Sequence, residues 1–377
     1  MSPSKHAMLS ASSAHRWLNC TPSARLEQEF KDRQTEAAAE GTAAHALAEY
    51  KLRRALHQQA KRPVSRYANS EMDEYTEDYA QFVQEAIAEA KRYCADPVVH
   101  IEQRLDFSDY VPDGFGTGDC VIVADRRLHI IDFKYGQGVL VEAEHNPQMK
   151  LYALGALHVY DALYDVDEVS MTIYQPRRAN VSTWTISVDE LRAWAENELR
   201  PRARLAYAGE GEYCPGAWCM FCRAAVKCRA RAEEKLRLAQ YEFAQPPVLT
   251  DGEIAGILGK LDDLVRWATD IREYALNAAL SGVHFDGWKV VEGRANRRYT
   301  DEAAAAQAVI ATGHDPYEHR LLGISAMEKL LGRKKFSEVL GELVERPQGK
   351  PTLVPASDKR PALSDVDSEF NAIQEEA

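Results

Sequence analysis

The stretch from residue 118 to residue 135 constrains the fold most, because its pattern is typical of a β-hairpin. Residues 118–124 and 128–135 are rich in apolar and β-branched side chains, and the polar residues 125–127 between them predict a turn. Side chains alternate across a strand. The two faces of the second strand are therefore predicted to carry Leu128, Ile130, Asp132 and Lys134 on one side, and His129, Ile131, Phe133 and Tyr135 on the other.

A carboxylate and a lysine end the otherwise apolar face of this second strand. Antiparallel pairing can bring Asp119, on the first strand, close to Asp132 on the second. Two acids and Lys134 gathered at a strand end suit a divalent cation, an attacking water and a scissile phosphate. The alternative is a hairpin with an exposed Asp–Lys pair, which is the commoner arrangement. The elements around the hairpin decide between the two.

The elements before the hairpin add a histidine and an acid. A long helix is predicted over residues 28–60, where small residues allow close packing around His45. Residues 98–105 read as a strand that carries Glu102. A lone histidine on a helix is usually structural, so His45 is a candidate metal ligand only if its helix lies against the hairpin. Glu102 is a further candidate acid.

A helix is predicted after the hairpin. Asn146 is a good N-cap and Pro147 a good first helical residue. Gln148 and Tyr152 are four residues apart and therefore share one face of this helix. They form either a polar pair that faces the cleft or a surface glutamine over a core tyrosine.

The order of the predicted elements indicates the fold class. Helices are followed by a meander of three or four strands, with a further strand predicted at residues 139–143, then by a helix and by strands at 169–174 and 181–186. This order predicts an α/β core with a central mixed sheet flanked by helices. Arg177 and Arg178, in the turn between the last two strands, could hold phosphate or merely solvate a loop.

Four of the seven cysteines are packed into one short segment, which is not the pattern of a secreted disulfide framework. The spacing Cys219-x2-Cys222-x5-Cys228 contains the bidentate pair that zinc and iron–sulfur sites share. A tetrathiolate site needs a fourth ligand. Cys214 would complete a local zinc knuckle, whereas the distant Cys20 would suit a 4Fe–4S cluster that ties the N-terminus to the end of the core.

Taken in order, these residues resemble the RecB-like branch of the PD-(D/E)xK nuclease superfamily. The motifs that carry the resemblance are His45, Gly118-Asp119, Asp132-x-Lys134 and Gln148-x3-Tyr152. A distant N-terminal cysteine followed by Cys-x2-Cys-x5-Cys resembles the iron–sulfur subset of this branch, which includes the AddB nuclease domain and CRISPR-associated RecB-like exonucleases. Phrases such as Trp-Cys-x-Phe-Cys are similar to those of a phage- and prophage-borne family.

The resemblance implies metal-dependent cleavage of DNA by a restriction-endonuclease-like core. It places Mg²⁺ or Mn²⁺ on His45, Asp119, Asp132 and the carbonyl of Phe133. Lys134 would orient or activate the water, while Gln148 and Tyr152 would position the DNA strand or Lys134.

The resemblance also implies a set of cluster ligands. The 4Fe–4S ligands would be Cys20, Cys219, Cys222 and Cys228, with Zn²⁺ as the alternative metal. Cys214 is left outside this set. The cluster would be structural, because it joins the two ends of the nuclease core.

The length of 377 residues predicts more than one domain. Residues 1–240 are expected to form the nuclease core with the cysteine cluster, and residues 250–345 a helical accessory domain. Residues 346–377 are expected to form an extended segment and an acidic disordered tail. In the accessory domain, Arg297 and Arg298 belong to an arginine- and aromatic-rich stretch that could grip DNA or form a solvated edge strand.

The net charge of −12 is unlike that of a nucleic-acid binder, but a local basic stripe can still carry phosphate contacts. No run of about 18 apolar residues occurs, so no membrane span is expected and a cytoplasmic location, in a bacterial host, is predicted. The resemblance favours a DNA exonuclease of phage recombination or replication, beside a single-strand annealing or binding protein. The alternatives are a zinc-stabilised, non-catalytic DNA-binding or adaptor protein and a structure-specific endonuclease.

Overall fold

The chain forms two compact units, residues 1–274 and residues 275–377. The computed structural model describes residues 7–30, 35–236, 250–291, 299–317 and 321–345, together with residues 354 and 358. The strands, the predicted site residues before residue 200 and the clustered cysteines all belong to the first unit.

The helices that begin in the first unit follow local start signals. Thr35, Asn69, Asn146 and Ser187 each cap a helix, because the side-chain oxygen accepts a hydrogen bond from a backbone N–H of the first turn. Within the described residues these helices are α1 (Ala14–Asn19), α2 (Ser23–Leu26), α3 (Glu36–Ala55), α4 (Ser70–Ala90), α5 (Pro147–Tyr164), α6 (Val188–Trp194), α7 (Arg200–Ala208), α8 (Arg229–Leu236) and α9 (Asp251–Leu280).

One mixed sheet forms the centre of this unit. Its strands are β1 (Val98–Asp106), β2 (Phe115–Ala124), β3 (Arg127–Phe133), β4 (Glu168–Gln175) and β5 (Asn180–Ser187), hydrogen-bonded in that order. Strands β3 and β4 are parallel, and the other neighbours are antiparallel. A parallel pair needs a long crossover connection, which α5 supplies. The predicted α/β class with a central mixed sheet is confirmed.

The strand predicted over residues 139–143 is wrong, since these residues are irregular. The backbone of residues 139–143 forms hydrogen bonds with side chains at the end of the sheet instead of with a neighbouring strand. Gln175 Nε2 donates to the carbonyl of Val139 at 2.8 Å, and Asn180 Nδ2 donates to the carbonyl of Val141 at 2.9 Å. Val141 and Ala143 pack against the core on the α5 side of the sheet, whereas Val139 and Leu140 are exposed.

The two faces of the sheet bury separate cores. The α5 core lies under α5 and the N-terminal helices and contains Leu128 and Ile130 of β3. The α3/α4 core lies under α3 and α4 and contains Ile131 and Phe133. The alternation predicted along this strand is thus confirmed, and it places Asp132 on the side of α5.

Helix α5 approaches β1 closely at Gly155, which has no side chain. A Cβ added at Gly155 would lie 2.8 Å from the Cβ of Leu105 and 3.1 Å from the Leu105 carbonyl carbon. Neither neighbour is the flexible end of a side chain, so neither can easily give way. The separation of α5 from β1 is therefore fixed by this glycine.

A π-helical turn at Ala195–Leu199 joins α6 to α7 and interrupts what would otherwise be one continuous α-helix. Pro201 gives the physical reason. Proline has no N–H to donate to the carbonyl of Asn197 one turn earlier, so the α-helical ladder is interrupted there. Such turns occur frequently at functional sites.

The described residues of the second unit include the helices α10 (Glu302–Ile310), α11 (Ile324–Leu331) and α12 (Arg333–Leu340), joined by turns and irregular segments. Residues 285–291 form no strand where the arginine-rich stretch was expected to begin one. Arg297 and Arg298 lie outside the described residues, as does the segment 346–377 apart from residues 354 and 358. Among the helices of the described residues, none is long and apolar enough to cross a membrane.

We expect Gly155→Ala to lower the free energy of unfolding by about 1–3 kcal/mol, because overpacking against Leu105 outweighs the better helix propensity of alanine. Gly41→Ala in α3 is the matched control, since nothing lies within 4 Å of the Cβ added there. It should raise the free energy of unfolding by about 0.5–1 kcal/mol. Urea unfolding followed by circular dichroism measures both. Stabilisation by both substitutions would contradict the close approach of α5 to β1.

Candidate metal centre and cysteine cavity

Asp119 of β2 links two strands and a helix at one end of the sheet. The hydrogen-bonded pairing of β2 with β3 runs as far as Cys120 and Ile131, so Asp119 and Asp132 stand opposite each other at the next position. Asp119 Oδ2 accepts the backbone N–H of Phe133 at 2.7 Å. Its Oδ1 lies 3.2 Å from Nδ1 of His45. The helix that carries His45 therefore does lie against the hairpin.

Asp132 is almost fully buried and belongs to a polar network with α5. Lys134 Nζ lies 2.9 Å from Asp132 Oδ2 and donates to Gln148 Oε1 at 3.1 Å. Gln148 Nε2 in turn lies 3.2 Å from Asp132 Oδ1 and 3.1 Å from the hydroxyl oxygen of Tyr152. Of the two readings of the Gln148–Tyr152 pair, the structure therefore supports the one in which both face the acids.

Glu102 of β1 joins the site through an unusual backbone conformation. Its φ of +53° lies in the left-handed region, which an ordinary residue adopts only where the surrounding structure enforces it. The alternation of the strand changes there, since His100 stacks on Tyr160 of the α5 side while Leu105, an odd number of residues later, belongs to the same side. The pairing of β1 with β2 skips Glu102.

A compact trio of ligand atoms results. One side-chain atom each of His45, Glu102 and Asp119 lies within 4.8 Å of the other two. The sequence predicted His45, Asp119 and Asp132 as the main ligands, with Glu102 as a further candidate. The structure instead brings Glu102 into the closest group and places Asp132 beside it, in contact with Lys134.

Burial and mutual repulsion disfavour the ionised forms of Glu102 and Asp132, whereas nearby positive charge favours the ionised form of Asp119. Burial, and then the nearby Asp119, raise the pKa of Glu102 to about 7. Burial also raises the pKa of Asp132, which the attraction of Lys134 offsets only in part. For Asp119, the charge of His45, hydrogen bonds and Lys134 outweigh burial and hold its pKa below the ordinary value. A divalent cation would favour the ionised form of every acid here.

The donor set fits a divalent cation. Asp132 Oδ2 is buried, and no hydrogen bond to it is formed within the described residues, because Lys134 Nζ approaches it without the alignment of a hydrogen bond. Carboxylate oxygens are the usual ligands of Mg²⁺ and Mn²⁺, and an imidazole nitrogen is compatible with Mn²⁺. His45, Glu102, Asp119 and Asp132 could therefore hold such an ion between them.

The remaining predicted residues are placed as follows. Phe133 contributes its N–H to Asp119, and its carbonyl remains a predicted ligand. Arg177 is engaged within the fold, since it lies 3.4 Å from carboxylate oxygens of Glu40 and Glu71 and stacks on the Tyr135 ring. These partners give it a structural reason to be present. Arg178 is exposed and donates to the carbonyl of Gln137 at 3.3 Å.

Five cysteine side chains line one small cavity in the first unit. They are Cys20, Cys214, Cys219, Cys222 and Cys228. All five are free thiols. Cys20 ends α1, near the N-terminus, whereas the others belong to the segment that precedes α8. The cavity thus brings together all the cysteines that were predicted as ligands, together with Cys214, which the resemblance left outside the set of four.

Backbone N–H groups face some of these sulfurs. Gly216 N lies 3.4 Å from Cys219 Sγ. The backbone N–H of Cys214 acts on Cys20 and opposes the rise in its pKa that burial causes. Burial likewise raises the pKa of Cys219 overall. N–H groups aimed at sulfur stabilise thiolate ligands, and here Cys214 provides one of them through its backbone.

The wall of the cavity is held by an ion pair between α1 and the segment after α2. Arg16 lies 2.7 Å from Glu27, and both are largely buried. Arg16 Nη1 donates to the carbonyl of Phe221 at 2.8 Å, and Glu27 Oε1 accepts the N–H of Arg223 at 2.7 Å. The N-terminal and C-terminal sides of the cavity are therefore joined without any metal.

Arg231 of α8 adds a buried positive charge near the cavity. It is fully buried and lies 3.0 Å from Asp270 and 3.5 Å from Asp263, both on α9. Its charge opposes the rise that burial causes in the pKa of Cys219. A fixed cation near a cysteine side chain favours its thiolate form.

Sequence reasoning missed the residues that support the two sites. Arg16, Glu27 and Arg231 are ordinary charged residues in helical stretches, and nothing local marks them as buried. The left-handed Glu102 also has no local signal, because glycine or asparagine is the residue expected at such a position. Only the meeting of distant segments shows their roles.

Comparison with known proteins gives a family but no activity. A family model described as "Protein of unknown function (DUF2800)" matches residues 6–361. A solved structure described as "Crystal structure of SSO0001" is 15% identical to the chain over 49% of its length and 95% of that chain, with a TM-score of 0.23. That score is too low to support an argument about the fold.

We expect the purified protein to bind Mn²⁺ and Glu102→Gln to weaken this binding at least about ten-fold, because the amide lacks the charge of the carboxylate. The electron paramagnetic resonance signal of free Mn²⁺ measures the affinity. Asp109→Asn is the control, since Asp109 contacts His158 at 2.8 Å in an exposed pair of similar chemistry. Equal affinity of Glu102→Gln and the wild type would rule Glu102 out as a ligand.

Proposed function

The chain belongs to the family described as a protein of unknown function (DUF2800), and we propose from its site that it is a metal-dependent DNA exonuclease. One observation carries the proposal. The trio His45, Glu102 and Asp119 lies beside Asp132 and Lys134 at one end of a mixed sheet. Carboxylates that can hold a cation, with a lysine fixed next to them, are what phosphodiester hydrolysis requires.

A divalent cation held by these residues would supply a Lewis acid for the phosphate and an ionised water as nucleophile. The protein's own groups supply position and charge. Lys134 is held by Asp132 and Gln148, so its ammonium group is fixed before substrate arrives. Attraction to Asp132 outweighs burial and raises the pKa of Lys134, which keeps it cationic. It would therefore stabilise the negative charge that develops on the phosphate oxygens.

Gln148 and Tyr152 act through Lys134 and Asp132. Gln148 accepts from Lys134 with its carbonyl oxygen and presents its amide nitrogen to Asp132 and Tyr152. Gly116 leaves room for the Tyr152 ring, since a Cβ there would lie 2.7 Å from it. Both side chains are positioning residues in this proposal.

The fold proposed for this unit is the PD-(D/E)xK core of the RecB-like branch. The supporting observations are the meander β1 to β3 that carries the acids, the crossover helix α5 that carries Gln148 and Tyr152, and the parallel strand β4 that follows. By the resemblance to this branch, the substrate would be the end of a DNA strand in phage recombination or replication. A single-strand annealing or binding protein would be the partner.

The cysteine cavity is proposed to hold a 4Fe–4S cluster on Cys20, Cys219, Cys222 and Cys228. The observation that supports this proposal is the cavity itself, which brings the distant Cys20 next to the segment Cys219-x2-Cys222-x5-Cys228. A zinc ion remains the alternative occupant. Cys214 would act through its backbone N–H rather than as a ligand.

Cleavage of DNA tests the proposed activity. We expect Asp132→Asn and Lys134→Ala each to reduce the rate at least about 100-fold, because they remove charge at the reacting phosphate. Labelled linear and closed circular DNA are incubated with and without Mn²⁺, and products are resolved on gels. Asp161→Asn is the control, since Asp161 pairs with Arg192 at 2.7 Å on the surface.

Each outcome separates the candidate functions. Equal cleavage by wild type and the site variants would exclude the proposed site. Cleavage of closed circles would favour a structure-specific endonuclease over an exonuclease. DNA binding without any cleavage would favour a non-catalytic adaptor.

Anaerobic purification tests the cluster. We expect a brown protein that absorbs at about 400–420 nm and contains roughly four iron atoms per chain. Cys20→Ser should lose most of the iron, whereas Cys214→Ser should keep it. Cys94→Ser is the control, since Cys94 does not line the cavity. A colourless protein with one zinc ion, lost in Cys214→Ser, would contradict the proposed cluster.

A further inference from the structure

A second pocket lies in the first unit beside the start of α5, and it carries several basic side chains. It has a volume of about 330 Å³. Its lining includes the polar and aromatic residues His15, His145, Lys150, Trp194, Glu198 and Arg202. We call this the basic pocket. None of these residues belongs to the cation site or to the cysteine cavity.

Lys150 is the unusual member of the basic pocket. The residue is only 7% exposed, although its side chain ends in an ammonium group. Nζ lies 4.2 Å from the centre of the Trp194 ring and 5.6 Å from that of Trp184. In the part of the chain that the structure describes, Nζ makes neither a hydrogen bond nor an ion pair.

The two tryptophans do not satisfy this ammonium group. A lysine has three N–H donors, and ring faces attract its charge without replacing the hydrogen bonds of water. Cation–π attraction therefore offsets only part of the cost of taking the ammonium group out of bulk water, and its N–H donors are left to be filled from the pocket, by water or by an anion. The side chain is thus held with unused donors at the wall of an open pocket, which is the arrangement expected of an anion site.

The other polar groups adjust the charge of the basic pocket. Arg202 uses one N–H on the carbonyl of Leu18 at 2.7 Å and keeps further donors. Glu198 is the opposing acid, and it partly offsets the lowering that burial causes in the pKa of Lys150. His15 and His145 provide ring nitrogens that can donate to an anion. Trp194 immediately precedes the π-helical turn and Glu198 lies within it, so the interruption of this helix shapes the pocket wall.

We propose that the basic pocket binds a phosphate group of a DNA strand whose scissile phosphate lies at the cation site. Gln148 and Lys150 are two residues apart on α5, so they lie on different faces of the same turns. A helix diameter, roughly 10 Å, therefore separates the two sites. This separation allows one strand to reach both. The identification of the ligand as DNA rests on the proposed function, whereas the affinity for phosphate oxygens rests on the pocket itself.

Binding in EDTA tests the proposal without cleavage. Fluorescence anisotropy measures the dissociation constants of labelled oligonucleotides that carry a 5′-phosphate, a 3′-phosphate or no terminal phosphate, over a series of salt concentrations. Lys150→Met keeps an apolar stem between the tryptophans and removes the charge. Arg202→Gln removes the second cation. Arg127→Gln is the control, because Arg127 is also stacked on a ring, that of Tyr93, but lies outside the pocket.

We expect Lys150→Met and Arg202→Gln each to weaken binding about ten-fold and to lower the slope of log affinity against log salt by about 1, the signature of one lost phosphate contact. Arg127→Gln should change neither. Loss confined to one phosphorylated oligonucleotide identifies a terminal phosphate as the ligand, and equal loss on all three identifies an internal phosphodiester. An unchanged slope in Lys150→Met overturns the proposal, even if affinity falls because the fold is weakened.

The cleavage assay separates this proposal from the proposed function. Unchanged binding and salt slope in Lys150→Met, with metal-dependent cleavage by the wild type, would overturn the basic pocket and leave the nuclease. A lowered salt slope in Lys150→Met, with no cleavage by the wild type, would support the pocket and overturn the nuclease. A wild type that binds none of the oligonucleotides overturns the proposal for the pocket.

Discussion

The carboxylate of Asp119 is the contact on which the geometry of the site depends. It accepts the N–H of Phe133 where the pairing of β2 with β3 ends, and it faces His45 of α3 with its other oxygen. One side chain therefore fixes the distance between two strands and the helix that covers them. An acid in this position could not rotate away to solvent without leaving a buried N–H unpaired, at a cost of about 1–3 kcal/mol.

The charges around Asp119 explain why the site is built at the end of the sheet rather than within it. Asp132 and Lys134 are placed on the strand that enters the α5 core, and only their mutual contact and Gln148 make this burial tolerable. A glycine of α5 also contributes to the geometry of the site. Gly155 lets α5 approach the sheet, and α5 then delivers Gln148 on one face and Lys150 on another. The positions of both Gln148 and Lys150 thus depend on one close contact between helix and sheet.

Much of the fold could be predicted from the sequence because it is encoded by local patterns. The alternation of β3, the cap at Asn146 and the class of the sheet all follow from neighbours within a few residues. The site was predicted to the extent that motifs mark it, as for Asp119 and Lys134. The left-handed backbone of Glu102 could not be predicted, because no local preference favours it and the fold enforces it. The burial of Lys150 between tryptophans more than thirty residues away in the chain is likewise tertiary.

The attachment of the N-terminal segment to the cysteine segment has a consequence for the order of events during synthesis. Arg16 and Glu27 are made first, yet their partners Phe221 and Arg223 emerge from the ribosome about 200 residues later. Trp17, fully buried in the finished protein, cannot reach its final environment before α5 and α7 exist. The N-terminal segment of the nascent chain therefore stays exposed, with its apolar side chains unburied, until its partners have been synthesised. During translation this segment is a natural binding site for a chaperone.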